Sequence, residues 1–425
     1  MRRGPISQRH TVILAGFVGN VVEWYDFAVY GYMAGILSTL FFPSEDQLAS
    51  LIATYGVFAA GFVMRPLGSA FFGWLGDTVG RTQTMLLSVM LMALPTFLLG
   101  CLPTYAQAGL WAPVLLVGIR LVQGLSVGGE FSSSVTYLVE TAPQNKRGLS
   151  GSWANTGSIF GMLLGAGVAS LITTVWSETT INDWAWRVPF LFGGIVGVSS
   201  IVIRRHLRRS PHFEKHGQER QKNSPLLEAF TTNRKEMIQA ILFSSSYGVL
   251  FYLPIVYLPE WLHSQAGMAR DLALQINTAG TAFLLCLIPV SGWLSDRLMR
   301  RTHVIAAAAL GLSLVGWPFF RWLSSDGLLA AIVVQFLLVA LVAIPLGSAP
   351  AMFVELFPAR DRLSGYSVAY NIGLGIVGGT TPMISTWLIK VTQLKTAPAL
   401  YMVVMSLVAF VTLLSIKDRS REELR

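Results

Sequence analysis

About twelve apolar stretches, separated by short polar breaks, run the length of this chain, and each is near the twenty or so residues that a helix needs to cross the hydrocarbon core of a membrane. They cover residues 11–40, 48–75, 82–102, 110–139, 149–175, 186–203, 237–262, 272–294, 303–323, 328–356, 363–389 and 397–416. Only 12% of the residues are charged, against about 25% in soluble domains. The pattern predicts an all-α membrane protein with twelve transmembrane helices, in which each span satisfies its own backbone polar groups.

The formal net charge of +9 falls in short clusters between the spans, which speaks for orientation in a bilayer and against nucleic-acid binding. Arg81, Lys146, Arg147, the basic residues from Arg204 to Lys235, Arg297, Arg300, Arg301, Arg360, Arg362 and the 417–425 tail fall on one side. Glu45, Asp46, Glu178, Asp183 and Asp326 fall on the other, with Arg270, Lys390 and Lys395 as basic exceptions. The positive-inside rule makes the basic side cytoplasmic, with both termini. Arg2 and Arg3 precede an apolar run that continues past Glu23 without a cleavage pattern, so the run reads as a retained first helix. Cys101 and Cys286 lie in apolar spans without metal-ligand spacing and read as small core residues. No metal or cofactor is expected.

Two passages recur in order. Gly73-Trp74-Leu75-Gly76-Asp77-Thr78-Val79-Gly80-Arg81 is matched by Gly292-Trp293-Leu294-Ser295-Asp296-Arg297-Leu298-Met299-Arg300, which places Asp77 and Asp296 219 positions apart. Glu140, Pro143 and Arg147 are matched by Glu355, Pro358 and Arg362 at an offset of 215. The chain therefore reads as two six-helix halves in parallel repeat, 1–203 and 237–425, joined by a polar 204–236 linker.

Gly73 to Arg81 resembles the signature loop of the major facilitator superfamily, with Met299 standing where the second copy usually has glycine. Gly19-Asn20-x-x-Glu23-Trp24-Tyr25-Asp26-Phe27, Arg65-Pro66-Leu67-Gly68, Arg120-Leu121-x-Gln123-Gly124-x-Ser126-x-Gly128-Gly129-Glu130 and Trp184-x-Trp186-Arg187-x-Pro189-Phe190 resemble the metabolite:proton symporters within it. That family includes proline/betaine, α-ketoglutarate, citrate and shikimate carriers. The resemblance implies a transporter rather than an enzyme, in a bacterial inner membrane, with a small molecule, protons and lipid as its partners and a monomer as its working form. It also implies that Gly73, Asp77 and Arg81, with Asp296 and Arg300 in the second copy, latch the cytoplasmic side.

Charged groups inside a span are costly, so they are expected to be functional. Glu23 and Asp26 lie in the first span, with Asn20 and Tyr30 on the same helical face. Arg65 lies in the second span, and Arg120, Gln123 and Glu130 in the fourth. At about 1.5 Å rise per residue, Glu23, Asp26 and Arg120 fall near the midplane, and Arg65 and Glu130 nearer the cytoplasm. All six histidines lie at the N-terminus, in loops or near span ends, so carboxylates are the expected proton carriers: Asp26, Glu23 and Glu130. Arg120, whose planar fork suits a carboxylate, is the expected substrate anchor, helped by Asn20, Tyr30, Arg65, Gln123, Asn155, Tyr370 and Asn371. The plainer alternative is that these charges pair only to hold helices together. The sequence points to proton-coupled import of an organic acid anion. A zwitterionic osmolyte such as proline or betaine is the close alternative, since Gly151-Ser152-Trp153 and Gly157-Ser158-Ile159 resemble the betaine branch, and a facilitator or drug antiporter would share the architecture.

Overall fold

The computed structural model describes residues 5–45, 47–205, 230–298, 300–325 and 327–424. Met299, Asp46, Asp326 and most of the 204–236 linker lie outside the described residues, as does the side chain of Arg81.

The described chain is helical almost throughout. Its long helices are α1 (Pro5–Phe41), α2 (Gln47–Thr78), α3 (Arg81–Cys101), α4 (Trp111–Glu140), α5 (Arg147–Val175), α6 (Val188–Arg204), α7 (Arg234–Ser264), α8 (Arg270–Arg297), α9 (Arg301–Leu323), α10 (Gly327–Leu356), α11 (Arg362–Thr392) and α12 (Ala397–Ser415). Among the described residues, eleven helices are long and apolar enough to cross a membrane, all of these except α2. The turn between α2 and α3 uses Gly80 at φ 124°, a conformation closed to most L side chains, which accounts for the glycine that ends the signature loop.

The chain divides into two compact units, one of residues 1–137 and 157–219, the other of 138–156 and 220–425. In the first unit, glycines let helices approach to backbone contact. A Cβ added at Gly157 or Gly161 of α5 would lie 2.4 and 2.5 Å from the carbonyl oxygens of Phe17 and Val21 on α1, so the small-residue stripe of α5 seats α1. Gly68 and Gly128 serve α2 and α4 in the same way, with added Cβ atoms 1.9 Å from Leu125 O and 2.2 Å from Arg65 O. The Trp184 to Phe190 motif anchors the opposite end of this unit. Arg187 donates to the carbonyls of Gly100 and Leu102 at the end of α3, and the Tyr25 hydroxyl donates to Pro189 O at 2.7 Å.

In the second unit, two helices are wound more loosely part-way along. α7 has a π-helical segment at Leu253–Tyr257 that includes Pro254, and α11 has one at Asn371–Gly378 that includes three glycines. Proline removes a backbone donor and glycine removes side-chain bulk. The regular part of α7 packs on the π-helical segment of α11, with a Cβ added at Gly248 only 2.8 Å from Gly378 Cα.

Cys101 and Cys286 are free and exposed, which corrects their reading as core residues. The outside of a membrane-spanning helix bundle is itself apolar, so an apolar run does not distinguish the inside from the outside.

Candidate membrane-embedded charge site

Among the described residues, the first unit buries six charged side chains: Glu23, Asp26, Arg65, Arg120, Glu130 and Arg204. They fall into three groups.

In the first group, α1 presents Asp26 and α4 presents Arg120 and Gln123. Arg120 Nη1 donates to Asp26 Oδ2 at 2.6 Å. Asp26 Oδ1 accepts from Gln123 Nε2 at 3.0 Å and from Thr96 Oγ1 of α3 at 3.0 Å. Both carboxylate oxygens are therefore engaged. The guanidinium also lies 3.8 Å from the centroid of the Tyr30 ring, a cation–π contact, and the Tyr30 hydroxyl donates to Thr54 O of α2 at 3.1 Å. Nε and Nη2 of Arg120 are buried with no hydrogen-bond partner. These two donors form one edge of the planar fork, suited to gripping a carboxylate with two parallel bonds.

In the second group, one turn away on α1, Glu23 Oε2 is buried without a hydrogen-bond partner. Arg65 of α2 is also buried, its guanidinium 4.7 Å from the Phe27 ring and 4.2 Å from the Phe62 ring, with Nε unpartnered. Asn20, on the same α1 face, donates from Nδ2 to Gly16 O at 2.8 Å in its own helix, while its Oδ1 is buried without a partner.

In the third group, Glu130 accepts from Arg204 on both carboxylate oxygens, from Ser88 and, at 3.0 Å, from Ser134. Arg204 also donates to the carbonyls of Ala15 and Met85. Sequence reading had placed Arg204 at the start of a solvated linker, yet it is fully buried and joins α1, α3, α4 and α6. The one hint of this is that Arg204 directly continues the apolar run of α6, whereas the other basic residues of that cluster follow it.

In the second unit, Asn155 donates to the Tyr247 hydroxyl at 2.8 Å and to Leu346 O at 2.7 Å. Tyr247, Phe353, Tyr366 and Tyr370 form a continuous ring cluster, with Tyr370 5.7 Å from Phe353 and 6.2 Å from Tyr247 between centroids. Asn371 Nδ2 donates to Ser367 O of its own helix.

The polar ends of the helices in the second unit carry a dense ion-pair network. Asp296 accepts from the backbone N–H groups of Gly148 and Leu149 at 2.8 and 2.9 Å, where the start of α5 favours a negative charge. Arg301, one residue beyond the expected Arg300, bonds Asp296 at 3.1 Å and grips Glu355 with Nε and Nη2. Arg300 itself is exposed. Arg362 pairs with Glu140 at 2.7 Å, and Arg147 lies 3.7 Å from Glu355. Arg147, Arg301, Glu140, Glu355 and Arg362 were not among the expected latch residues, although four of them lie in the repeated motifs and Arg301 adjoins one. In the first unit, Gly73 is buried and Asp77 half-buried.

The tail folds back over this network. Asp418 accepts from the N–H and hydroxyl of Thr302 at 2.8 and 2.9 Å, Arg421 O accepts from Gln144, and Glu422 O accepts from Arg147. Burial pushes the Asp418 carboxyl up, but the Ser420 hydroxyl and the N–H groups of Thr302 and Ser420 outweigh it and hold the group below the ordinary aspartate range. Beneath the tail lies a cavity of about 400 Å³ lined by Gln144, Asn145, Ser295, Asp296, Arg301, Ser420 and Arg421.

A buried arginine with a free bidentate edge, an acid on its other nitrogen and a membrane-spanning scaffold suit a carrier. Known proteins agree. The chain matches the sugar (and other) transporter family twice, over residues 11–224 and 214–425. It is 33% identical to a proline/betaine transporter of Salmonella typhimurium, over 97% of this chain and 84% of that one. It is 32% identical to an alpha-ketoglutarate permease of Escherichia coli, over 97% and 95%. A solved structure of a proton:xylose symporter of the major facilitator superfamily shares the fold at TM-score 0.77 and 18% identity, over 97% of this chain and 95% of that one. The chain is thus a membrane transporter, not an enzyme: it belongs to the sugar (and other) transporter family and has the major facilitator fold.

Proposed function

We propose that the protein imports a small carboxylate-bearing metabolite together with a proton, by alternating access. The observation that carries this reading is the geometry of Arg120, with Nη1 on Asp26 and with Nε and Nη2 buried and unpartnered. A substrate carboxylate binds the free edge. Asp26 and the substrate then share one positive charge. An opposite charge favours an ionised carboxylate, so an incoming anion weakens the hold of Arg120 on Asp26, and Asp26 takes up a proton. By linkage the proton then favours the anion equally. This makes symport a consequence of two acids competing for one guanidinium. Gln123 and Thr96 keep Asp26 in place once it is neutral, and Tyr30 keeps the guanidinium flat.

An organic acid anion is the favoured substrate, because both oxygens of Asp26 already have donors and offer little to a substrate ammonium. The similarity to a proline/betaine transporter supports a zwitterion as the second reading, with its carboxylate on the same edge of Arg120. Tyr247, Tyr370, Asn155 and Asn371 are assigned to substrate contact in the second unit, and Asp77, Arg81, Asp296 and the Arg301 network to the cytoplasmic latch. We further assign α2 as the twelfth span, both termini to the cytoplasm and the monomer as the working form, in a bacterial inner membrane.

The test is uptake into proteoliposomes of α-ketoglutarate, citrate, shikimate, proline and glycine betaine, with and without an inward proton gradient. Saturable uptake that the gradient accelerates is expected for at least one acid. Acceleration only for proline or betaine selects the second reading, and saturable uptake of none of them overturns both.

A further inference from the structure

The proton reading uses Asp26 and leaves a second acid unexplained. Glu23 is 2% exposed and Arg65 3%, and among the described residues they are the two buried charges of the first unit without a carboxylate–guanidinium pair, since Asp26 has Arg120 and Glu130 has Arg204. The Arg65 guanidinium lies 4.7 Å from the ring of Phe27, one helical turn along α1 from Glu23. Glu130 and Arg204 are already locked to each other. Arg65 is not locked to an acid. It lies between the rings of Phe27 on α1 and Phe62 on α2, at 4.7 and 4.2 Å, with Nε free. Phe27 stands four residues after Glu23, and Phe62 three before Arg65. Each helix therefore carries one charge of the pair and, one turn along on the same face, one ring of the clamp.

We propose that Arg65, parked between Phe27 and Phe62, is the mobile counter-cation of Glu23, and that its movement from the rings to the carboxylate is what releases a second proton from Glu23. This rests on the reading of the chain as a proton-coupled carrier and moves Arg65 from the substrate to the proton pathway. While Glu23 is a neutral acid it needs no cation, and the two rings hold the desolvated guanidinium by cation–π contact. When the O–H bond of Glu23 breaks, the proton leaves to water and the carboxylate is left in an apolar setting where an isolated charge is costly. Among the described residues of the first unit, Arg65, on the neighbouring helix, is the buried cation without a carboxylate partner. Leaving the clamp for the carboxylate stabilises the ionised form and draws α1 and α2 together at this level. Arg65 is thus a positioning residue, and Phe27 and Phe62 set the threshold for its movement.

The experiment follows the protonated-carboxyl band in pH-difference infrared spectra of the purified full-length protein, which needs no substrate and so does not depend on the Arg120 site. Glu23→Gln should remove one component of that band. Arg65→Gln should make Glu23 hold its proton about tenfold more tightly, the scale of one lost favourable charge, whereas Arg65→Lys should stay close to wild type. Phe62→Leu and Phe27→Leu should act in the opposite direction, loosening the proton by up to about tenfold, because the cation freed from the rings reaches the carboxylate more easily. Asp26→Asn should leave this component in place, so that a failure at Asp26 and a failure here are told apart. The proposal is overturned if Glu23→Gln leaves the band intact, if Arg65→Gln leaves its titration unmoved, or if the ring variants move it in the same direction as Arg65→Gln. A structural role for the clamp would give no opposed signs.

Discussion

Asp26 and Arg120 meet at 2.6 Å in the interior of the first unit, and the pair is lopsided: the acid has both oxygens engaged while the base has two of its three nitrogens without a hydrogen-bond partner. A pair that served only to hold α1 to α4 gains nothing from buried donors left without acceptors, since each carries a desolvation cost of about 1–3 kcal/mol. The proposed substrate site rests on this unsatisfied edge, and the variants below test it.

Arg120→Lys keeps a cation for Asp26 but supplies a point charge without a second parallel bond. Substrate affinity should fall about tenfold or more, the scale of one charge-assisted hydrogen bond. Concentration dependence of uptake in proteoliposomes checks this, and unchanged affinity would show that the fork does not grip the substrate.

Asp26→Asn leaves an amide that cannot take up a proton. Exchange of labelled for unlabelled substrate across the membrane should persist, because Arg120 is still present, while uptake against a gradient should be lost. Parallel measurement of exchange and of gradient-driven uptake separates the two, and proton-driven accumulation by the variant would move the coupling elsewhere.

Gly19 makes room for the Arg204–Glu130 pair: a Cβ there would lie 1.7 Å from Arg204 Nη2. Gly19→Ala should displace the pair and cost on the order of 3–5 kcal/mol, as breaking a buried ion pair does, seen as a lower Tm in detergent. Gly31→Ala, where an added Cβ meets nothing within 4 Å, should leave Tm unchanged or slightly raised.

The tail should be sensitive to acid through Asp418. Its carboxyl lies below the ordinary aspartate range when folded, so its bonds to Thr302 contribute stability that is present above the unfolded value of about 3.9 and lost as pH falls through the lower folded value. Hydrogen exchange over residues 417–424 should stay slow from pH 7 to about 4 and accelerate below. Asp418→Asn should exchange faster already at pH 7, and equal protection in wild type and variant would remove the role assigned to Asp418.

Much of this was readable from residue order. The apolar spans and the repeat offsets follow from counting, and so does the expectation that Glu23, Asp26 and Arg120 share a depth, because helix rise and membrane thickness convert sequence position into depth. Partners were harder to read. Arg120 and Asp26 are 94 residues apart and Arg204 and Glu130 are 74 apart, and depth alone does not say which helices touch. Arg204 was hidden by the basic residues that follow it. Arg301 was missed in favour of Arg300 because the repeat alignment carries a one-residue offset that only the start of α9 at Arg301 resolves. The tail contacts had no sequence signal, since Arg421 and Glu422 act through backbone carbonyls that any residue could supply.

The central claim is that substrate and proton are coupled by competition for Arg120, and it is tested most directly by counting protons on binding. Purified protein in weakly buffered detergent at neutral pH is mixed with whichever of α-ketoglutarate, citrate, shikimate, proline or glycine betaine the uptake panel identifies, and proton uptake from solution is followed with a pH indicator. Wild type should take up close to one proton per bound substrate, and Asp26→Asn should bind without that uptake. Binding by wild type that takes up no proton, or proton uptake undiminished in Asp26→Asn, would contradict the account.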